Sequence, residues 1–246
     1  MARETTMIQL EGRNPVYEAL SQGIVTHIKL EYGHETDAKI KQITDMARKK
    51  GVRVDMVNRK QIERLSTTGK HQGVIAYAQT NKDWNLSKVM KETGKEVCIV
   101  VLDQVQDPHN LGAIIRTSEG AGVDGVVIPK KGSADVSNTV HRVSMGGSLY
   151  VPVWQTNVYP AIKQMQDEGL RIIAVDASGS KPYYEEKLSG AVAIVLGGED
   201  RGVNPTLLSK CDSVVNIPMR GKLDSLNVSV ATGIVLYERM RQQESG

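Results

Sequence analysis

Three segments of this 246-residue chain combine glycines with side chains able to hold or polarise a ligand. Residues 107–117 carry Asn110 and, further along, Arg116. An amide can cap a helix or orient a hydroxyl, and a guanidinium presents a rigid fork of donors to a phosphate or an oxyanion. Residues 196–205 begin with Leu196, Gly197 and Gly198 and continue directly into Glu199. Paired glycines after an apolar run permit close backbone approach to a ligand. Residues 217–231 break an apolar run at Pro218, which cannot donate to a sheet ladder, and pass through a glycine-bearing loop to Ser225 and Asn227. Either of these can cap the apolar helix expected from Val228 onward. Taken singly, each segment also has an ordinary reading: a helix cap and a solvated charge, a tight turn with an exposed acid, and a strand, loop and capped helix.

Such side chains need elements to hold them. Apolar runs at 97–102, 125–128, 151–153, 171–175, 191–196 and 213–217 are predicted as strands, separated by stretches long enough for helices. That alternation predicts an α/β domain with a mostly parallel sheet covered on both faces. Ligands in such sheets bind beyond the carboxyl ends of strands, so the loops after Leu102, Leu196 and Ile217 are the candidates. Residues 120–125 satisfy G-x-G-x-x-G, but they follow an expected helix (111–119) and lead into a strand, the order of C-cap glycines rather than of a dinucleotide site. Upstream, residues 24–30, 52–57 and 71–78 read as strands and 37–50 as a helix. A polar stretch around Trp84 suggests a linker with some helix, dividing the chain into domains 1–80 and 97–246 joined by residues 81–96.

Composition narrows the function classes. Hydrophobic residues at 40% and charged residues at 24% fit a globular protein with a real core, and no run approaches the length needed to span a bilayer. The N-terminus lacks the apolar core of a signal peptide, which leads to the expectation of a cytoplasmic protein. Cys98 and Cys211 have no cysteine or histidine at metal-ligand spacing and read as buried free thiols; no metal is expected. The first 80 residues hold 13 Lys and Arg against 9 Asp and Glu, so the net charge of +3 is concentrated there. A mild basic bias is compatible with RNA phosphates and equally with a solvated face.

Taken together, N-L-G-A-I-I-R-T at 110–117, L-G-G-E-D-R-G at 196–202 and I-P-M-R-G-K-L-D-S-L-N-V-S-V-A at 217–231 resemble the signature motifs of the SpoU/TrmH branch of the SPOUT methyltransferases. The N-terminal G-R-N-P-V-Y-E-A-L at 12–20 and H-Q-G-V at 71–74 look like the small α/β, ribosomal-protein-L30-like substrate-binding domain of the subgroup that methylates guanosine riboses in large-subunit ribosomal RNA. The resemblance implies methyl transfer from S-adenosylmethionine to a ribose 2′-hydroxyl, a C-terminal trefoil knot, and a homodimer with its site near the subunit interface. It gives Arg116, Asn110, Glu199, Ser225 and Asn227 as catalytic-site residues. Leu196, Gly197, Gly198, Ile217, Met219 and Leu226 become the cofactor cradle. A guanidinium is a poor base, so Arg116 is expected to act as a clamp on the RNA phosphate and the developing alkoxide. His71, His109 and His141 invite a general-base reading, because histidine is the residue type suited to that role, and of these His109 lies inside a site loop. Lys130, Lys131, Arg201, Arg220 and Lys222 are candidates for phosphate contacts. Alternatives are a transfer RNA ribose methylase, an antibiotic-resistance ribosomal methylase, and a non-enzymatic ribosome assembly factor that binds RNA.

Overall fold

The computed structural model describes residues 6–80, 85–198 and 202–244. In chain order its elements are β1 (Thr6–Glu11), α1 (Arg13–Ser21), β2 (Val25–Glu31), α2 (Ala38–Lys49), β3 (Arg53–Val57), α3 (Arg59–Leu65), β4 (Val74–Thr80) and α4 (Leu86–Thr93). There follow β5 (Cys98–Asp103), α5 (Pro108–Gly120), β6 (Gly125–Pro129), α6 (Asn138–Val143), β7 (Val153–Thr156), α7 (Val158–Asp167), β8 (Arg171–Val175) and β9 (Lys181–Pro182). The chain closes with β10 (Val192–Gly197), α8 (Pro205–Leu208), β11 (Ser213–Asn216) and α9 (Val228–Glu244). They gather into two compact units, residues 1–83 with 136–150, and residues 84–135 with 151–246.

In the first unit the sheet runs β1-β4-β2-β3, antiparallel except for the parallel β2/β3 pair. Leu10, Ile28, Leu30 and Val74 pack one face against Val16 and Leu20 of α1 and Ile40 and Ile43 of α2. Ile75 alternates to the other face, where it meets Val57 and Ile62 of α3. Asp37 caps α2 by accepting from the amides of Lys39 and Ile40, and a reciprocal Asn58/Gln61 capping box opens α3. At the end of β1, Glu11 is fully buried, yet its carboxylate accepts from the hydroxyls of Ser66, Thr67 and Thr68 and from the amides of Thr67 and Thr68. Burial pushes its pKa up, but these donors outweigh burial and hold it at about 2.

The second unit carries a seven-stranded sheet among the described residues, ordered β7-β6-β5-β10-β8-β11-β9, with every pairing parallel. Ile99, Val101, Ile172, Ala174, Ala193 and Val195 pack against Leu86 and Met90 of α4, Val158, Ile162 and Met165 of α7, and Leu207 of α8. Their strand neighbours Val100, Leu102, Ile194 and Leu196, also buried, point to the opposite face, where α9 lies on β10 and α5 beside α9. The expected doubly covered parallel sheet is therefore present, and its near-continuous apolar strands are the mark of burial on both faces.

The helix expected within the linker is present as α4, residues 86–93, where Leu86 and Met90, four residues apart, place two apolar side chains on one helix face. Two details differ from the sequence reading. Residues 136–150, read as part of the second domain, belong to the first unit, where Leu149 enters the core and His141 bonds Ser148 Oγ through Nδ1 at 2.7 Å. Helix α5 begins at Pro108 rather than at Leu111: Asp107 is its cap, accepting from the His109 amide at 2.8 Å, and proline suits the first helical position. The glycines at 120–125 end α5 and open β6, with Gly122 left-handed at φ 65°. Cys98 is a buried free thiol and Cys211 a half-buried one; burial raises the pKa of each to about 12.

Candidate active site

Register aligns the carboxyl ends of the central strands. Gly197 of β10 lies opposite Asp103 of β5, Leu196 opposite Val175 of β8, and Val175 opposite Val215 of β11. Strands β5 to β7 proceed toward one edge, while β8 to β11 occupy the other side, so the order reverses beside β5 and β10. A crevice opens at such a reversal.

The loop after β10 is shaped by backbone meeting backbone. A Cβ on Gly197 would lie 1.9 Å from the carbonyl carbon of Gly202, and one on Gly198 would lie 2.5 Å from the carbonyl oxygen of Gln104. The glycine pair therefore answers the close passage of neighbouring protein backbone, not only the approach of a ligand. Two carboxylates hold the loop where it leaves: Asp176 Oδ2 accepts from the Val203 amide at 3.1 Å, and Asp103 Oδ2 accepts from the Asn204 amide at 2.8 Å.

Between this loop and residues 217–231 lies a cleft of about 360 Å³. Its walls are Val175, Asp176 and Ala177 after β8; Leu196, Gly197, Gly198 and Gly202 at β10; and Ile217, Met219, Asp224, Ser225, Leu226, Val228 and Ala231 from the loop before α9 and its first turn. Among the described residues, the main-chain groups of 217–226 enter no backbone–backbone hydrogen bond. The cleft thus offers an apolar slot edged by uncommitted amides and carbonyls, a chemistry suited to a flat heterocycle read by main-chain bonds.

Helices α5 and α9 start beside it. Asn227 Oδ1 accepts from the Ser229 amide at 2.9 Å and so caps α9, while its Nδ2 donates to Asn110 Oδ1 at 3.0 Å in the first turn of α5. Arg116 lies about 9 Å further along α5, exposed, without a hydrogen-bond or ion-pair partner among the described residues and outside the cleft lining of its own chain.

Residues 97–237 match the family model described as SpoU rRNA Methylase, and residues 9–84 match the model described as RNA 2′-O ribose methyltransferase substrate binding. The chain belongs to the SpoU methylase family. This SpoU methylase is 36% identical over 223 residues to the 23S rRNA (guanosine-2′-O-)-methyltransferase of Xanthomonas axonopodis pv. citri, covering 89% of each chain. Its fold is similar to that of a crystal structure described as an RNA 2′-O ribose methyltransferase, at a TM-score of 0.83 and 26% identity over 97% of this chain and 89% of that one. It is likewise similar to the AdoMet-bound rRNA methyltransferase of Sinorhizobium meliloti, at a TM-score of 0.79 and 27% identity over 96% and 87% of the two chains.

In this SpoU methylase the cleft collects Leu196, Gly197, Gly198, Ile217, Met219, Ser225 and Leu226, while Asn227 and Asn110 pair at its side. Glu199 and Arg201 lie outside the described residues. His109, considered as a base, is exposed in the first turn of α5, with Nδ1 3.2 Å from Asp107 Oδ1, and does not line the cleft. His71 and His141 belong to the first unit, where His71 Nδ1 accepts from the Gly73 amide and burial lowers the His141 pKa to about 4. Lys130, Lys131, Arg220 and Lys222 are exposed. Sequence reasoning missed Asp103 and Asp176, although the rule that carboxyl ends of parallel strands carry sites reaches the residue after Val175 once β8 is known to lie between β10 and β11.

Proposed function

We propose that the protein transfers the methyl group of S-adenosylmethionine to a ribose 2′-hydroxyl of RNA, on a guanosine of large-subunit ribosomal RNA, and that it works as a homodimer. The observation that carries this reading is the cleft itself: a mostly apolar slot whose 217–226 wall makes no backbone–backbone hydrogen bond among the described residues, with the Asn227–Asn110 pair at its side. Its size and lining fit a nucleoside ligand. When bound, S-adenosylmethionine supplies an activated methyl on a sulfonium, so the protein need form no covalent bond of its own.

The chain's residues then have separable tasks. Leu196, Ile217 and Leu226 sandwich the adenine, and main-chain groups at Gly197, Gly198, Met219 and Leu226 read its edges and the rest of the cofactor. Asn110, held by Asn227, orients the acceptor ribose, and Ser225 completes that wall. Arg116 holds the RNA phosphate and stabilises the alkoxide as the hydroxyl loses its proton; a group charged at every working pH suits that role better than the role of base. Glu199 positions Arg116 through a charge-assisted hydrogen bond. Because Arg116 is exposed and outside its own chain's cleft lining, it serves the cleft of a second copy. Val230 and Tyr237 of α9, exposed at 50% and 54%, supply the apolar surface for that pairing. The trefoil knot belongs to the same proposal, supported by the passage of Gly197 against Gly202 and of Gly179 against Val215 with no room for a Cβ.

The guanosine specificity follows the activity named for the Xanthomonas relative. Incubation with labelled S-adenosylmethionine and ribosomal RNA, followed by mapping of alkali-resistant linkages, tests it. Label in a guanosine ribose of large-subunit RNA is the expected result, and tight RNA binding without incorporation would favour an assembly factor.

A further inference from the structure

We propose that Asp176 reads a ribose hydroxyl of the nucleoside cofactor, accepting its hydrogen bond at Oδ2 in the cleft wall. This rests on the cofactor reading above and adds to it a residue that none of the three signature segments contains.

A carboxylate has about four lone-pair sites. Asp176 Oδ1 fills two, accepting from the Ser178 amide at 2.9 Å and the Ser178 hydroxyl at 2.7 Å, and Oδ2 fills one with the Val203 amide at 3.1 Å. Among the described residues, the remaining site on Oδ2 has no donor. Gly202 packs close to that oxygen, where a Cβ would sit 2.6 Å from it, and Asp176, only partly buried, lines the cleft beside Gly202. The cleft it lines is otherwise mostly apolar, with Val175, Leu196, Leu226 and Val228 among its walls and Asp224 and Ser225 as its other polar side chains. A sugar brought into such a slot must find acceptors for its hydroxyls or forfeit their bonds to water. Asp176 also remains ionised. Burial raises its pKa, but the Ser178 and Val203 donors more than compensate and the net shift is downward. An ionised carboxylate only accepts, which matches a hydroxyl donor and fixes the polarity of the contact. The same three protein bonds hold the carboxylate in one orientation, so little freedom is left to lose on binding.

The test is a binding cycle read by calorimetry, with S-adenosylhomocysteine as the probe because it is not consumed, alongside its 2′-deoxy and 3′-deoxy forms. In the unaltered protein, removing the contacted hydroxyl is expected to weaken binding about tenfold or more, the effect of losing a hydrogen bond to a charged group. In Asp176→Asn the same removal is expected to cost under about threefold, because the charged acceptor is already gone. An equal penalty in both proteins, or no penalty from either deoxy form in the unaltered protein, overturns the assignment of Asp176. Failure of the parent thioether to bind the unaltered protein overturns the cofactor reading instead, so the two failures are distinct. Asp176 also anchors Ser178 and Val203; should Asp176→Asn lose its native circular dichroism, Asp176→Glu, which keeps the charge and displaces the oxygen, is judged by the same criterion.

Discussion

Arg116 and Glu11 are both ionised groups, but their surroundings assign them opposite duties. Arg116 is exposed on α5, and its loss is expected to leave the fold intact. Arg116→Ala is expected to abolish methyl transfer while cofactor affinity stays within about twofold, and Arg116→Lys to restore little, since an ammonium lacks the planar fork. Single-turnover methylation beside calorimetric binding checks both. Glu11 is buried under six donated hydrogen bonds, from Gln9, Ser66, Thr67 and Thr68, and its removal leaves those donors unmatched. Glu11→Ala is expected to lower stability by about 3 kcal/mol, measured by urea unfolding. Its folded pKa of about 2 lies below the ordinary 4.5, so the stability it contributes is present above pH 4.5 and lost as pH falls toward 2. At this scale the sequence drew attention to residues at or just after the ends of apolar runs: Asn110 in the first turn of α5, Ser225, Asn227 and the glycine pair. Asp176 stayed hidden because Val175-Asp176-Ala177-Ser178-Gly179 reads as an ordinary turn until the sheet order sets it beside β10 and β11.

The parallel sheet was legible among the elements because unbroken apolar runs recur between helix-length spacers. Short pieces were not: the two residues of β9 carry no periodicity, and α4 reveals itself only by Leu86 and Met90 on one face. Nor did the glycine pair announce that it faces neighbouring protein backbone. Gly197→Ala would force a methyl to within 1.9 Å of Gly202, and the loop cannot yield without disturbing the grip of Asp103 and Asp176 on its exit. The substitution is expected to cost about 3 kcal/mol or more and to eliminate cofactor binding, where Gly221→Ala, which meets nothing within 4 Å, leaves both nearly unchanged. Chemical denaturation and calorimetry on the two variants make the comparison. Helices α5 and α9 are coupled at their starts by one side-chain bond. A double-mutant cycle on Asn110→Ala and Asn227→Ala is therefore expected to be non-additive in the methylation rate, and additivity would mean that the bond plays no part in setting the acceptor.

For the molecule as a whole, the proposed pairing of two copies through α9 predicts that Val230→Glu with Tyr237→Glu yields a monomer by sedimentation that still folds but no longer methylates. The chain passes from the first unit into the second, returns for residues 136–150, and leaves again. That inserted segment carries His141, whose pKa falls from 6.5 to about 4 through burial. Between those values the unfolded state binds more protons than the folded one, so stability drops as pH is lowered from 6.5 to 4, by about 3 kcal/mol over the full window. Urea midpoints across that range should show the slope, flattened in His141→Gln. The returning segment also governs the order of synthesis. Polypeptide emerges from the ribosome from its amino end, and domains ordinarily fold as they appear. Here the amino-terminal unit cannot complete its core with Leu149 until β5, α5 and β6 of the other have been translated, so the newborn chain must carry two unfinished modules at once.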